Sequence, residues 1–146
     1  MINYNQYSIS IKEEKEVQER QTKQKQVIYE ALTKLDHPTA TEVYGYVHGV
    51  QPTISRATVF RVLGGFVGNG KALELRAAGN EVRYDYNVTP HYHARCLSCG
   101  RVADVEVTGL PKSGLKVTVD SGFEISDYSV EFFGRCKSCL VGEWQA

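Results

Sequence analysis

The sequence predicts an α+β protein: an N-terminal winged helix-turn-helix followed by a second, strand-rich domain stapled by a four-cysteine zinc site. Three observations predict it. Three amphipathic helical segments with capping residues precede a hairpin pattern. The cysteines number four and fall in two C-x2-C pairs, Cys96/Cys99 and Cys136/Cys139. Between hairpin and first pair stands an H-x-H, His91-Tyr92-His93.

Length and composition bound the possibilities. The chain has 146 residues, 42% of them apolar and 23% charged, which suits one domain or two small ones. Seventeen basic side chains balance seventeen acidic ones, which argues against non-specific coating of nucleic acid but allows a local basic patch. A disordered charged tail is excluded as the main body. No apolar run reaches membrane-spanning length. Residues 1–11 do not read as a signal peptide, so a cytoplasmic location is expected.

Each element has a local reason. Residues 12–20 are rich in charge and helix formers and read as an exposed first helix. Thr22 can cap a second helix, with Val27, Ile28, Ala31, Leu32 and Leu35 at helical spacing. His37-Pro38 ends it, because the residue before a proline avoids the helical region. Thr39 and Glu42 form a capping box for a third helix, whose apolar face is Val43, Tyr46 and Val47. Ser55 caps a fourth helix from Arg56 to about Val67, weakened near its end by Gly64-Gly65. Residues 72–75 and 82–86 read as strands joined around Gly79-Asn80 and complete the wing. The first domain is thus residues 1–88, with a hinge near 87–90, and the second is 89–146. In the second domain residues 101–107 alternate, 115–119 read as a short helix or strand, and 124–133 supply further strands.

The cysteine pairs carry chemistry. Two C-x2-C knuckles with no spare cysteine bend four sulfurs toward one ion, the pattern of structural zinc. Two disulfides or a pair of redox dithiols are the alternatives, and the lack of a secretory signal disfavours structural disulfides. A site filled by four thiolates has no open position, so its role is to hold the C-terminal region folded.

The fourth helix is the candidate for the major groove, through Ser55, Arg56, Thr58, Phe60 and Arg61. Arg20, Lys23 and Lys25 form a basic cluster placed to meet phosphates or a minor groove. The alternative is that Arg56 and Arg61 are only the solvated face of a helix. Charge separates weakly: residues 1–90 carry 11 basic and 10 acidic side chains, and residues 91–146 carry 6 and 7.

A second metal site is built of nitrogen and oxygen. On an extended strand His91 and His93 point to the same face and can meet one ion. Asp85 ends the wing, Asp104 follows the first knuckle, and His37 lies between two helices. Three histidines and two carboxylates suit iron(II) or manganese(II) and leave a sixth position for an oxidant. By spacing alone His37 reads better as a helix-terminal histidine next to proline than as a ligand, and His48 has no partner pattern.

These motifs resemble the Fur (ferric uptake regulator) family of metal-dependent bacterial repressors. The matching stretches are His37-Pro38-Thr39-Ala40, residues 54–61, residues 91–100 (H-x-H-x-x-C-x-x-C-G) and Gly134-Arg135-Cys136-Lys137-Ser138-Cys139, in the family's order over roughly residues 20–140. The resemblance implies a homodimer with a C-terminal α/β dimerisation domain. It implies binding to double-stranded operator DNA, an AT-rich pseudo-palindrome, and a regulatory metal at the junction held by His37, Asp85, His91, His93 and Asp104. The iron-uptake branch usually has glutamate where Asp104 stands and histidine where Phe133 stands, and no histidine follows His93 here. The zinc-uptake branch tends to use a cysteine in its regulatory site. The chain looks most like the peroxide-sensing (PerR) branch, in which iron(II) and hydrogen peroxide oxidise a ligand histidine, here His37 or His91. That implies a sensor and not an enzyme. The alternatives are a repressor reporting iron or manganese supply, an oxygen-using iron enzyme, and a zinc-stapled interaction module. The chain departs from the family at Phe60, where tyrosine is usual, at Lys25, where arginine is usual, and in the glycines 64, 65, 68 and 70.

Overall fold

The computed structural model describes residues 4–77, 79–110, 118, 122–126 and 128–141, with side chains from residue 15 onward. Helix α1 runs over Tyr4–Lys34 without interruption. The two helices expected on either side of residue 21 are therefore one. Thr22 does not cap: its hydroxyl donates to the Gln18 carbonyl one turn back (2.9 Å), which absorbs it into the helix. No glycine or proline falls between residues 12 and 34 to break the run.

Helix α2 (Ala40–Val50) starts with the expected capping box. The Glu42 N–H donates to the Thr39 hydroxyl, and the Thr39 N–H donates to the Glu42 carboxylate. Helix α3 (Arg56–Gly68) is capped by Ser55, whose hydroxyl accepts from the Thr58 N–H. It continues through Gly64 and Gly65 because Val59, Val62, Leu63 and Phe66, at helical spacing, are buried on either side. Residues of α1, α2 and α3 form one apolar core, including Ile28, Leu32, Val43, Val47, Val59 and Leu63. Strands β1 (Leu73–Leu75) and β2 (Arg83–Asp85) pair antiparallel as the wing.

A second sheet follows, of order β4-β3-β5. Strand β3 (Tyr92–Cys96) pairs antiparallel with β4 (Val102–Val105) and parallel with β5 (Glu131–Gly134). The short helix α4 (Lys137–Val141) carries Cys139. The strands expected over 124–133 reduce to β5, and residues 124–126 and 128–130 are not strand. The register gives the reason: His93 lies opposite Glu131 and Cys96 opposite Gly134, so β3 has almost no edge left for earlier residues. The element expected at 115–119 lies outside the described residues apart from Thr118.

The wing joins the two parts. The Tyr84 N–H donates to the Pro38 carbonyl (2.9 Å), the Arg83 Nε donates to the Gly100 carbonyl (3.0 Å), and Arg95 on β3 donates to the Leu75 carbonyl of β1 (3.4 Å).

Candidate metal centres and nucleic-acid interface

Five side chains from four parts of the chain meet at the junction. His37 comes from the α1–α2 loop, Asp85 ends β2, His91 and His93 flank the start of β3, and Asp104 lies on β4 opposite His93. One donor atom from each lies within 4.8 Å of all the others. The three Nε2 atoms converge on two carboxylate oxygens. Asp85 Oδ2 lies 2.8 Å from His91, 2.9 Å from His93 and 3.4 Å from His37. Asp104 Oδ1 lies 2.9 Å from His37, 3.1 Å from His91 and 3.3 Å from His93. His37, Asp85 and His93 are buried, while Asp104 is exposed.

Electrostatics explain why this cluster suits a cation. Burial pushes Asp85 up, but hydrogen bonds from His37, His93, the Asn87 N–H and His91 outweigh it and hold the carboxyl well below the usual range. Burial pushes His37 down, yet hydrogen bonds to Asp85 and Asp36 and the charges of Asp85 and Asp104 raise it to about 9. His91 is raised in the same sense: burial opposes, and the Thr89 carbonyl and Asp85 prevail. Two carboxylates facing three imidazoles require positive charge between them, supplied by protons or by a divalent ion. The donors are nitrogen and oxygen only, a set that fits iron(II) or manganese(II).

The four cysteines are free thiols brought together at one corner of the second sheet. Their sulfurs all lie within 4.8 Å of one another, and Cys99 Sγ is 3.7 Å from Cys136 Sγ. A tetrahedron with zinc–sulfur bonds of about 2.3 Å has edges of about 3.8 Å. The Cys136 N–H donates to Cys96 Sγ (3.3 Å) and, with the Cys99 N–H, lowers that thiol to about 5. Cys139 is pushed up to about 12 by its hydrogen bonds to Cys136, Cys96 and Cys99. One thiolate forms readily and further ones repel it, so the cluster suits a soft cation such as zinc.

Sequence reasoning missed the groups that orient these ligands. Asp36 Oδ1 faces His37 Nδ1 at 2.7 Å, and the Thr89 carbonyl faces His91 Nδ1 at 2.5 Å. Arg83 donates to the His37 carbonyl (2.9 Å). Its one sequence signal is its position two residues before Asp85, on the same face of β2.

The expected DNA-contacting residues divide. Arg56, Phe60 and Arg61 are exposed on α3. The Arg56 guanidinium donates to the Thr41 hydroxyl (3.0 Å) and lies 5.3 Å from the centre of the Phe60 ring. Ser55 and Thr58 are committed to each other, their hydroxyls 2.9 Å apart at the helix cap. Arg20, Lys23 and Lys25 do not form one cluster. On a continuous helix Lys25 stands about 140° around the axis from Arg20, and it lines a groove with Tyr29, Phe66 and Lys71.

The ferric uptake regulator family model matches residues 16–133 of this chain. The chain belongs to the ferric uptake regulator family. Among curated relatives, the peroxide operon regulator of Bacillus subtilis is 34% identical over 130 residues, covering 88% of this chain and 90% of that protein. The peroxide-responsive repressor PerR of Staphylococcus epidermidis is 32% identical over 121 residues, covering 82% and 81%. The solved peroxide stress regulator of Campylobacter jejuni shares the fold with a TM-score of 0.67 at 22% identity, covering 88% of this chain and 98% of that one. This Fur-family chain is a metal-responsive transcriptional regulator and not an enzyme. Regulators of the Fur family act as DNA-binding dimers. Among the described residues no helix is long and apolar enough to cross a membrane.

Proposed function

We propose that this regulator is a cytoplasmic, peroxide-responsive repressor that binds an AT-rich pseudo-palindromic operator as a homodimer. Zinc is held by Cys96, Cys99, Cys136 and Cys139. Iron(II) or manganese(II) is held by His37, Asp85, His91, His93 and Asp104. Residues 1–88 form the DNA-binding domain and residues 89–146 the dimerisation domain.

One observation carries the reading: the five nitrogen and oxygen donors come from both sides of the wing–sheet junction and lie within 4.8 Å of one another. Donors shared across that junction favour one relative orientation of recognition helix and dimer sheet. Metal binding and DNA binding are then coupled, reciprocally. Exposed apolar side chains such as Phe123, Ile125, Phe133 and Leu140 offer the second part a surface for another copy. Arg56, Phe60 and Arg61 face outward on α3 and meet base edges or phosphates.

The peroxide reading is supported by the names of the relatives, by aspartate rather than glutamate at 104, and by a donor set without sulfur. Bound iron(II) supplies redox chemistry toward hydrogen peroxide that manganese(II) does not. His37 and His91 are the imidazoles assigned to take up the oxygen. Each touches both carboxylates through Nε2. An oxidised imidazole is a poorer donor, so the shared site fails and DNA is released.

The test compares operator binding of the iron and manganese forms before and after mild peroxide, with mass spectra of the same samples. Loss of binding in the iron form alone, with one oxygen added on the peptide holding His37 or His91, is expected. Retained binding in both forms with no added oxygen would instead identify a sensor of iron or manganese supply.

A further inference from the structure

We propose that Asp36, clamped by Arg101, is a positioning residue for the His37 imidazole. Through this pair the turn leaving the first cysteine knuckle sets how tightly the His/Asp cluster holds its divalent cation. The inference rests on the metal-site reading above and adds a control on that site.

His37 is the ligand that needs most help. Among the described residues it is the one non-glycine with a positive φ, 45°, and Pro38 follows it. Such a conformation persists only where its surroundings hold it. Its ring must also reach a cluster whose other members all come from β2, the start of β3 and β4.

Two arginines hold it, and both are tied to one turn. Arg83 donates through Nη1 to the His37 carbonyl (2.9 Å) and through Nε to the Gly100 carbonyl (3.0 Å). Gly100 directly follows Cys99 and has a φ of 75°, the left-handed conformation that glycine takes without strain. Arg101, the next residue, donates through Nη2 to Asp36 Oδ2 (3.2 Å). The other Asp36 oxygen faces His37 Nδ1 at 2.7 Å. Each oxygen of Asp36 thus has its own partner, one from the knuckle turn and one on the ligand.

The chemical consequence is specific. A carboxylate at Nδ1 keeps a proton there, so that Nε2, the nitrogen facing Asp85 and Asp104, is the one left to hold a cation placed between them. The Asp36 and Arg101 side chains are 60% and 53% exposed. An exposed ion pair contributes little to fold stability. Its effect therefore falls on ligand orientation, and metal affinity changes while the melting temperature does not.

The experiment uses the full chain loaded with zinc, and titrates manganese(II) against a competing chelator. The variants are D36N, R101A, R101K, the D36N/R101A pair and D85A, each with a melting curve. D36N lowers manganese affinity by about tenfold, the lower end of what loss of such a partner costs. R101A lowers it less, R101K stays near the parent, and the pair is no weaker than D36N alone because Arg101 acts through Asp36. All four melt with the parent. Affinities of D36N and R101A within about twofold of the parent, or losses that multiply in the pair, overturn the proposal. A parent that does not bind manganese, or D85A binding as tightly as the parent, sinks the metal-site reading itself.

Discussion

In the N-terminal part, twelve apolar side chains from Ile28 to Ala72 form a single buried cluster. Among the described residues after Val88, the buried apolar ones are Tyr92, Cys96 and Val102, and Phe123, Phe133, Leu140 and Val141 lie exposed. The second part is instead crossed by polar and charged links, such as the buried Arg95, whose Nε lies 2.9 Å from Glu131. The first part has the apolar burial that folds an ordinary domain. Among its described residues the second has four clustered thiols and exposed apolar side chains in place of such a core, a composition that a metal and a second copy would complete.

The largest effect follows from removing the thiolate centre. C136S should abolish zinc retention and melt the second sheet, a loss on the order of 10 kcal/mol by comparison with small structural zinc sites. Circular dichroism should still show α1 to α3, and sedimentation should show monomers. A variant that keeps its sheet and its dimer would mean that the second part has a sufficient core after all. Next comes L63A, which opens a cavity in the first part. It should cost about 2–5 kcal/mol in urea unfolding, without changing zinc content.

Acidity tests the junction between the two parts. In the absence of a metal ion the raised His37 is charged at neutral pH. Its attraction to the carboxylates is present in full below its ordinary value of 6.5 and is lost as pH rises through about 9. A metal ion must displace that proton. Manganese affinity should therefore rise by up to about tenfold per pH unit for each proton displaced, and level off near pH 9. A flat profile between pH 6.5 and 8.5 would show that no proton is displaced from the cluster. The smallest effect is T39A, which removes half of the α2 capping box and should cost about 1 kcal/mol. It should leave the zinc centre intact.

Much of the fold was legible because its signals are local. Capping residues, apolar spacing and turn glycines act within a few positions, and they located α2, α3 and the wing. Continuity of α1 is not legible locally because threonine is both a good cap and a tolerated helix residue, and only the Thr22 to Gln18 bond decides between them. The strand content of 124–133 is lower than its pattern predicts because alternation shows which residues favour a strand, not whether a neighbouring edge is free.

The site divides the same way. Sequence alone determined the two cysteine knuckles and the H-x-H, because ligands two or three residues apart are set by the backbone between them. Only tertiary structure decided that His37 meets Asp104, 67 residues away, and that Asp36 and Arg83 support it. Those arrangements depend on how the wing packs between the helices and the second sheet, and distance along the chain does not encode that packing.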